Sequence, residues 1–146
     1  MWNPEDDGID HINVYSKGRT ELGKFLSNFA YSVINTDDGL FWSVEGYWYW
    51  LGTDNPEREK LRKLAGFQAK QFGRKLRAKD WQSTEEFKNK ILKAIKIKIE
   101  NYPQYKKLLI NNILPLAHYY VYGDKIVNVP AAQWILDGIL EISKHG

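Results

Sequence analysis

Along the first third of the chain, apolar and polar positions alternate in short runs. Beyond it they recur every three or four residues. "HINVYS" (11–16) alternates enough to predict a short strand. "AYSVINTDDGLFWSV" (30–44) predicts a hairpin, with β-prone runs on either side of Asp37-Asp38-Gly39 and Gly39 free to take a positive φ. "EGYWYWLG" then predicts a short helix or turn ending at Gly52. After it, Asn55-Pro56 reads as a cap followed by proline at the first helical position. Leu61, Leu64, Ala65, Phe72 and Leu76 follow at helical spacing, weakened by Gly66 and Gly73. Ser83 and Glu86 form a capping box for a helix from about Thr84 to Ile99. "NYPQYKKLLINNIL" predicts another helix, with Tyr105, Leu108, Leu109 and Ile113 on one face, and "VPAAQWILDGILEIS" a last one with Pro130 near its start. No repeat or linker interrupts the chain. The expected fold is mainly α, a single compact helical domain over 1–146 with a short N-terminal β-hairpin element.

Two residues break this pattern. Glu45 is followed within five positions by Tyr47, Trp48, Tyr49 and Trp50, with Trp42 just before it. A carboxylate among rings is either a satisfied structural group or one whose proton affinity is raised for chemistry. The second is Lys98. With Phe87 at zero and about 100° per residue, Ile91, Ala94 and Ile95 fall at about 40°, −20° and 80°. Lys98 falls at about 20°, inside this apolar stripe, while Lys93 and Lys96 fall on the far side. Such a lysine snorkels, finds a carboxylate or loses its proton. Loss of the proton makes a nucleophilic amine; a buried ion pair is the structural alternative, with Glu45 the obvious partner.

Composition adds an asymmetry. Glu57–Lys107 carries 16 Lys and Arg against 6 Asp and Glu, a surplus of +10, and the rest carries 5 against 12, or −7, which together give the net +3. A basic middle suits an anionic partner, although solvated helix faces give the same count. Within it, "GRKLRAKDW" interleaves Arg74, Lys75, Arg77 and Lys79 with Trp81. That is a combination for holding phosphate and stacking on a base, or an exposed helix end with one anchoring tryptophan. Cysteine is absent, which removes disulfides and thiol chemistry and suits a reducing cytoplasm. The acidic start is not that of a signal peptide, and no apolar run approaches a membrane span. His11, His118 and His145 lack metal-ligand spacing, and "GRTELG" is no P-loop, so neither metal nor cofactor is expected.

Taken together, several stretches resemble the NADAR family, the domains of NAD and ADP-ribose metabolism also known from a riboflavin-biosynthesis-intermediate N-glycosidase. "INVYS" and "LSNFA" resemble its N-terminal signature, and "SVEGYW" its Ser-x-Glu-x-Tyr motif. "FQAKQFGR", "AKDW" and "AIKIKIEN" are similar to its later segments in family order. The resemblance implies cleavage of an N-glycosidic bond, in phosphorylated aminopyrimidine ribosides or in ADP-ribose attached to guanine. It puts Glu45 at the catalytic glutamate and Lys98 at the helix lysine. It also implies a ligand site lined by Ser27, Asn28, Phe29, Arg74 and Trp81. The family reading thus falls on the two residues that stand out physically.

The chain departs from the family toward its C-terminus. His118 stands where a glutamate is expected. Asp124 follows Gly123 without a Trp-Gly, and the glycine-rich loop is missing or shortened. Either His118 or Asp124 takes over a ligand contact, or a binding module without catalysis remains. The leading expectation is an N-glycosidase or ADP-ribosyl hydrolase using Glu45 and Lys98 without metal. Arg74 would hold phosphate, and Trp42, Trp48 or Trp81 would sandwich the base. Its partner would be a phosphorylated ribosyl small molecule or an ADP-ribosylated nucleic-acid base. The alternatives are an inactive ADP-ribose binder and a small helical nucleic-acid-binding protein.

Overall fold

The computed structural model of the chain describes residues 1–145. In chain order the elements are β1 (Ile12–Asn13), α1 (Glu21–Leu26), β2 (Ile34–Thr36), β3 (Gly39–Phe41), α2 (Val44–Leu51), α3 (Gly66–Lys75), α4 (Glu85–Asn101), α5 (Pro103–Asn111), β4 (Leu116–Ala117), β5 (Tyr119–Tyr122), β6 (Lys125–Asn128) and α6 (Gln133–Lys144). A 3-10 stretch, Pro56–Lys63, lies between α2 and α3. The chain forms two compact units: Met1–Ser27 with Tyr102–Gly146, and Asn28–Asn101.

The expected helical class is corrected. The fold is mixed α/β, 52% helix and 14% strand, with three two-stranded sheets. The misread segment is "HYYVYGDKIVN". It forms the antiparallel pair β5–β6, with Tyr119 opposite Asn128 and Tyr122 opposite Lys125. Gly123 takes φ +64° at the first turn position, which is glycine's role in a tight hairpin. The strand expected at 11–16 is only β1, and it pairs in parallel with β4.

In the contiguous unit 28–101, β2 and β3 pair antiparallel across Asp37-Asp38, and Gly39 takes φ +103°. The helix expected from Pro56 onward is broken. Leu64 and Ala65 are extended and Gly66 has φ +57°, so the 3-10 stretch ends and α3 starts afresh. The capping residue of α4 is Thr84, whose hydroxyl accepts from Phe87 N–H at 3.3 Å, one position later than expected. Phe87, Ile91, Ala94, Ile95 and Ile99 of α4 are buried together with Ile34, Phe41, Val44, Tyr47 and Leu61 of the same unit. α4 packs on β2 and on α2, and α2 packs on α3 and on the 3-10 stretch.

In the other unit, Asn13 of β1 holds the backbone of Tyr119 on both sides. Its side-chain amide donates to the Tyr119 carbonyl (3.1 Å) and its carbonyl oxygen accepts from the Tyr119 N–H (3.1 Å). Asp7 accepts from the N–H groups of Asn13 (2.9 Å) and Arg19 (2.8 Å). His11 is fully buried between the Asp10 carboxylate and the Tyr119 hydroxyl, each at 2.6 Å, under the ring of Trp2. On α5, Tyr105 stacks on Phe25 and Leu109 is buried, whereas Leu108 and Ile113 of the expected face are exposed.

Candidate functional site

The site grows from the start of α2. Ser43 is extended and caps the helix, its hydroxyl accepting from Gly46 N–H (2.9 Å) and donating to the Leu64 carbonyl (2.8 Å). Gly46 is glycine because a Cβ there would stand 2.6 Å from the Leu61 carbonyl oxygen. This close seat fixes the first turn of α2 and hence Glu45. The Glu45 N–H donates to the Asn28 carbonyl at 2.9 Å, which ties the segment carrying Asn28 and Phe29 to the same turn.

Burial pushes the Glu45 carboxyl up to about 7, against the pull of Lys70 and Arg74. Both cations come from α3, one turn apart. Lys70 Nζ lies 5.9 Å from the Phe29 ring centre. The Arg74 guanidinium comes near enough to the Tyr49 hydroxyl to favour its ionised form. Tyr49 sits one turn after Glu45, and its own proton is held more tightly because of burial and the Glu45 charge. Arg74 is exposed while Glu45, Lys70, Phe29 and Tyr49 are half-buried, so the cluster opens to solvent on the Arg74 side. Asn28 Oδ1 is buried, and among the described residues no group donates to it. A buried acceptor left like this favours a ligand that brings a donor.

Lys98 is fully buried on α4, inside the apolar stripe where the helical wheel puts it. Desolvation pulls its amine down to about 7. Lys93 and Lys96 are exposed, and Lys93 pairs with Asp37 at 2.9 Å.

The other expected site residues divide. Asn28, Phe29 and Arg74 stand with Glu45. Trp48 is half-buried in α2, edge-on to Phe87 at 4.7 Å. Trp42 is exposed beside Tyr31, and Trp81 is exposed between α3 and α4. Ser27, His118 and Asp124 belong to the other unit. Ser27 is buried and closes α1 by donating its N–H to Gly23 (3.2 Å). His118 Nδ1 donates to the Val14 carbonyl at 2.7 Å, and burial lowers its proton affinity. Asp124 is exposed in the β5–β6 turn. Lys70 and Tyr49 were missed. Their signal was present as two i,i+4 pairs, Glu45 with Tyr49 and Lys70 with Arg74, each placing two polar groups on one helix face.

A carboxyl group pushed up to about 7 can donate a proton and take one back, and the two cations whose charges act on it can hold an anion. No family model and no curated protein sequence matches the chain. Among solved structures, the chain is similar in fold to the Escherichia coli protein YbiA, whose NMR structure aligns with TM-score 0.68 at 21% identity over 92% of this chain and 83% of that one.

Proposed function

We propose that the protein is a NADAR-type N-glycosidase that hydrolyses a ribosyl C–N bond in a phosphorylated nucleoside-like or ADP-ribosylated substrate. The observation that carries this reading is Glu45, a carboxyl group titrating at about 7 beside Lys70 and Arg74. The fold likeness to YbiA, a NADAR-family protein, supports it. So does the sequence resemblance, which selects Glu45 independently of its environment.

Cleavage builds positive charge on the ribose as the base leaves. The glycosidic bond breaks with its electron pair passing to the base nitrogen, which takes the Glu45 proton. A water then adds to the anomeric carbon and returns a proton to the Glu45 carboxylate. Lys98, uncharged in part at neutrality, is the alternative nucleophile. Its amine would displace the base from the anomeric carbon, the base leaving with the C–N electron pair and the Glu45 proton and the amine returning a proton to Glu45; the ring then opens to an imine, which water hydrolyses to free the lysine and the sugar. Arg74 and Lys70 would hold the phosphate, and Asn28 Oδ1 would accept from a sugar hydroxyl.

The test is base release from ADP-ribosylated guanosine and from a phosphorylated aminopyrimidine riboside, followed by chromatography. Glu45→Gln should lose at least about a hundredfold. Borohydride should trap sugar on Lys98 if the imine route operates. Ligand-induced stabilisation without base release would leave the inactive binder, and the absence of both would leave the nucleic-acid-binding reading.

A further inference from the structure

We propose that Lys70 and Arg74 couple anion binding to the protonation of Glu45: a substrate phosphate held by these cations loads the proton that Glu45 then gives to the leaving base. The inference rests on the N-glycosidase reading and adds its regulation.

The geometry is a relay of charges across two helices. Glu45 is fixed in the first turn of α2 by the Asn28 carbonyl; α3 packs on α2 with Gly73 against Tyr49, one turn after Glu45, Lys70 Nζ lies 5.9 Å from the ring centre of Phe29 beside Asn28, and the charges of Lys70 and Arg74 both act on the carboxyl. With the site free, the two cations favour the carboxylate. An anion at their heads cancels that support. The desolvation of Glu45 remains, so the neutral carboxylic acid becomes the favoured form. The acid is therefore made when a phosphate-bearing substrate is in place, and the carboxylate returns when the anion leaves.

Other charges around α2 are accounted for. On α2 itself, Tyr49 feels the charges of Glu45, Arg74 and Asp80. From the 3-10 stretch, Arg58 and Arg62 lie over the Trp50 ring, and Glu59 accepts from Trp50 Nε1 at 2.8 Å, all at the far end of α2. Asp38, between β2 and β3, accepts from the Tyr47 hydroxyl at 2.6 Å. α4, packed on α2, carries Lys90, which pairs with Asp38 at 3.3 Å, and Lys98, pulled down to about 7 by burial and so a second source of proton uptake that the test must separate.

Sulfate is the probe, because it keeps a fixed charge near neutrality. Calorimetric titration at constant ionic strength, in buffers of different ionisation enthalpy, gives the protons taken up on binding. Wild type should take up as much as about half a proton at pH 7, because a group titrating at about 7 is half ionised there. The uptake should peak just above that pH. Glu45→Gln should bind sulfate with the uptake lost, and Lys98→Met should retain it. Lys70→Met and Arg74→Met should each weaken sulfate by at least about tenfold, the scale of a charge-assisted contact. Sulfate binding without uptake, or equal uptake in Glu45→Gln, overturns the proposal. So does unchanged affinity in both cation variants, or no sulfate binding at all. If Glu45→Gln fails to fold, the wild-type pH profile and its upward displacement in Lys70→Met decide the matter. Base release without linked uptake refutes the coupling and spares the glycosidase. Linked uptake without base release does the reverse.

Discussion

Tyr49 occupies the space in which any side chain at residue 73 would stand: a Cβ built on Gly73 overlaps the root of the Tyr49 side chain, at its Cβ, Cγ and Cδ1. The contact brings α3 against α2 at the level where Arg74 meets Tyr49 and Glu45.

Gly73→Ala should therefore destabilise the protein although alanine is the better helix former. The propensity gain is about 1 kcal/mol. The overpacking cost is about 1–3 kcal/mol or more, because the clash is with a ring held between helices. Urea denaturation should show a net loss, and sulfate affinity should fall with it as α3 is pushed away.

The two shifted groups predict an unusual pH profile. Glu45 is pushed up to about 7 in the folded chain from its ordinary value of 4.5. Between these values the unfolded chain has lost the proton and the folded one keeps it, so stability falls as pH rises through this window. Lys98 titrates at about 7 against 10.5. There the unfolded chain holds the extra proton, so stability rises with pH from about 7 toward 10.5. Their combined contribution is least near neutrality, with limbs no steeper than about 1.4 kcal/mol per pH unit each. Glu45→Gln should flatten the acid limb and Lys98→Met the alkaline limb in denaturation series across pH.

A shared site also requires Glu45 and Lys98 to be coupled. A double-mutant cycle with Glu45→Gln and Lys98→Met at pH 7 should give an interaction of about 0.5–3 kcal/mol. If the two are a structural ion pair, each single change should cost about 3–5 kcal/mol and the double mutant should recover much of it. Additivity within about 0.5 kcal/mol would assign them to separate environments.

In the other unit, Asn13→Ala should remove both partners of the Tyr119 backbone at once. Each buried group left unsatisfied costs about 1–3 kcal/mol. A thermal melt should show the loss, and Asn13→Asp should not rescue it, because it sets a buried carboxylate against the Tyr119 carbonyl and close to Asp7.

What was legible beforehand follows a physical line. Lys98 was visible because an isolated charge in a 3.6-residue stripe needs only local periodicity to detect. Glu45 was visible because its ring-rich neighbours are adjacent in sequence. The Asp37-Asp38-Gly39 hairpin carried its own turn chemistry. The β5–β6 hairpin carries a local signal too, β-prone tyrosine and valine runs either side of Gly123-Asp124, but a reading of that stretch against the family pattern takes it for a departure and passes over its turn chemistry. The break at Leu64-Ala65 was invisible because the apolar spacing runs through it unchanged. Lys70 and Tyr49 were missed for another reason: their importance arises only when α3 and α2 are brought side by side.

Sequence separation within each unit has a consequence for how the chain is built. The unit 28–101 is one uninterrupted stretch, so every contact inside it is available once residue 101 has been made. The other unit joins the first 27 residues to those from Tyr102 onward, and Asn13 grips Tyr119 across 106 positions. Closing so long a loop is entropically slow. The catalytic candidates Glu45 and Lys98 thus lie in the half able to fold first, while the N-terminal strand waits for a partner synthesised near the end. Pulse-labelled hydrogen exchange during refolding should find the amides of α2, α3 and α4 protected before those of β1 and β4. Simultaneous protection would mean that the long-range clamp forms with the nucleus itself.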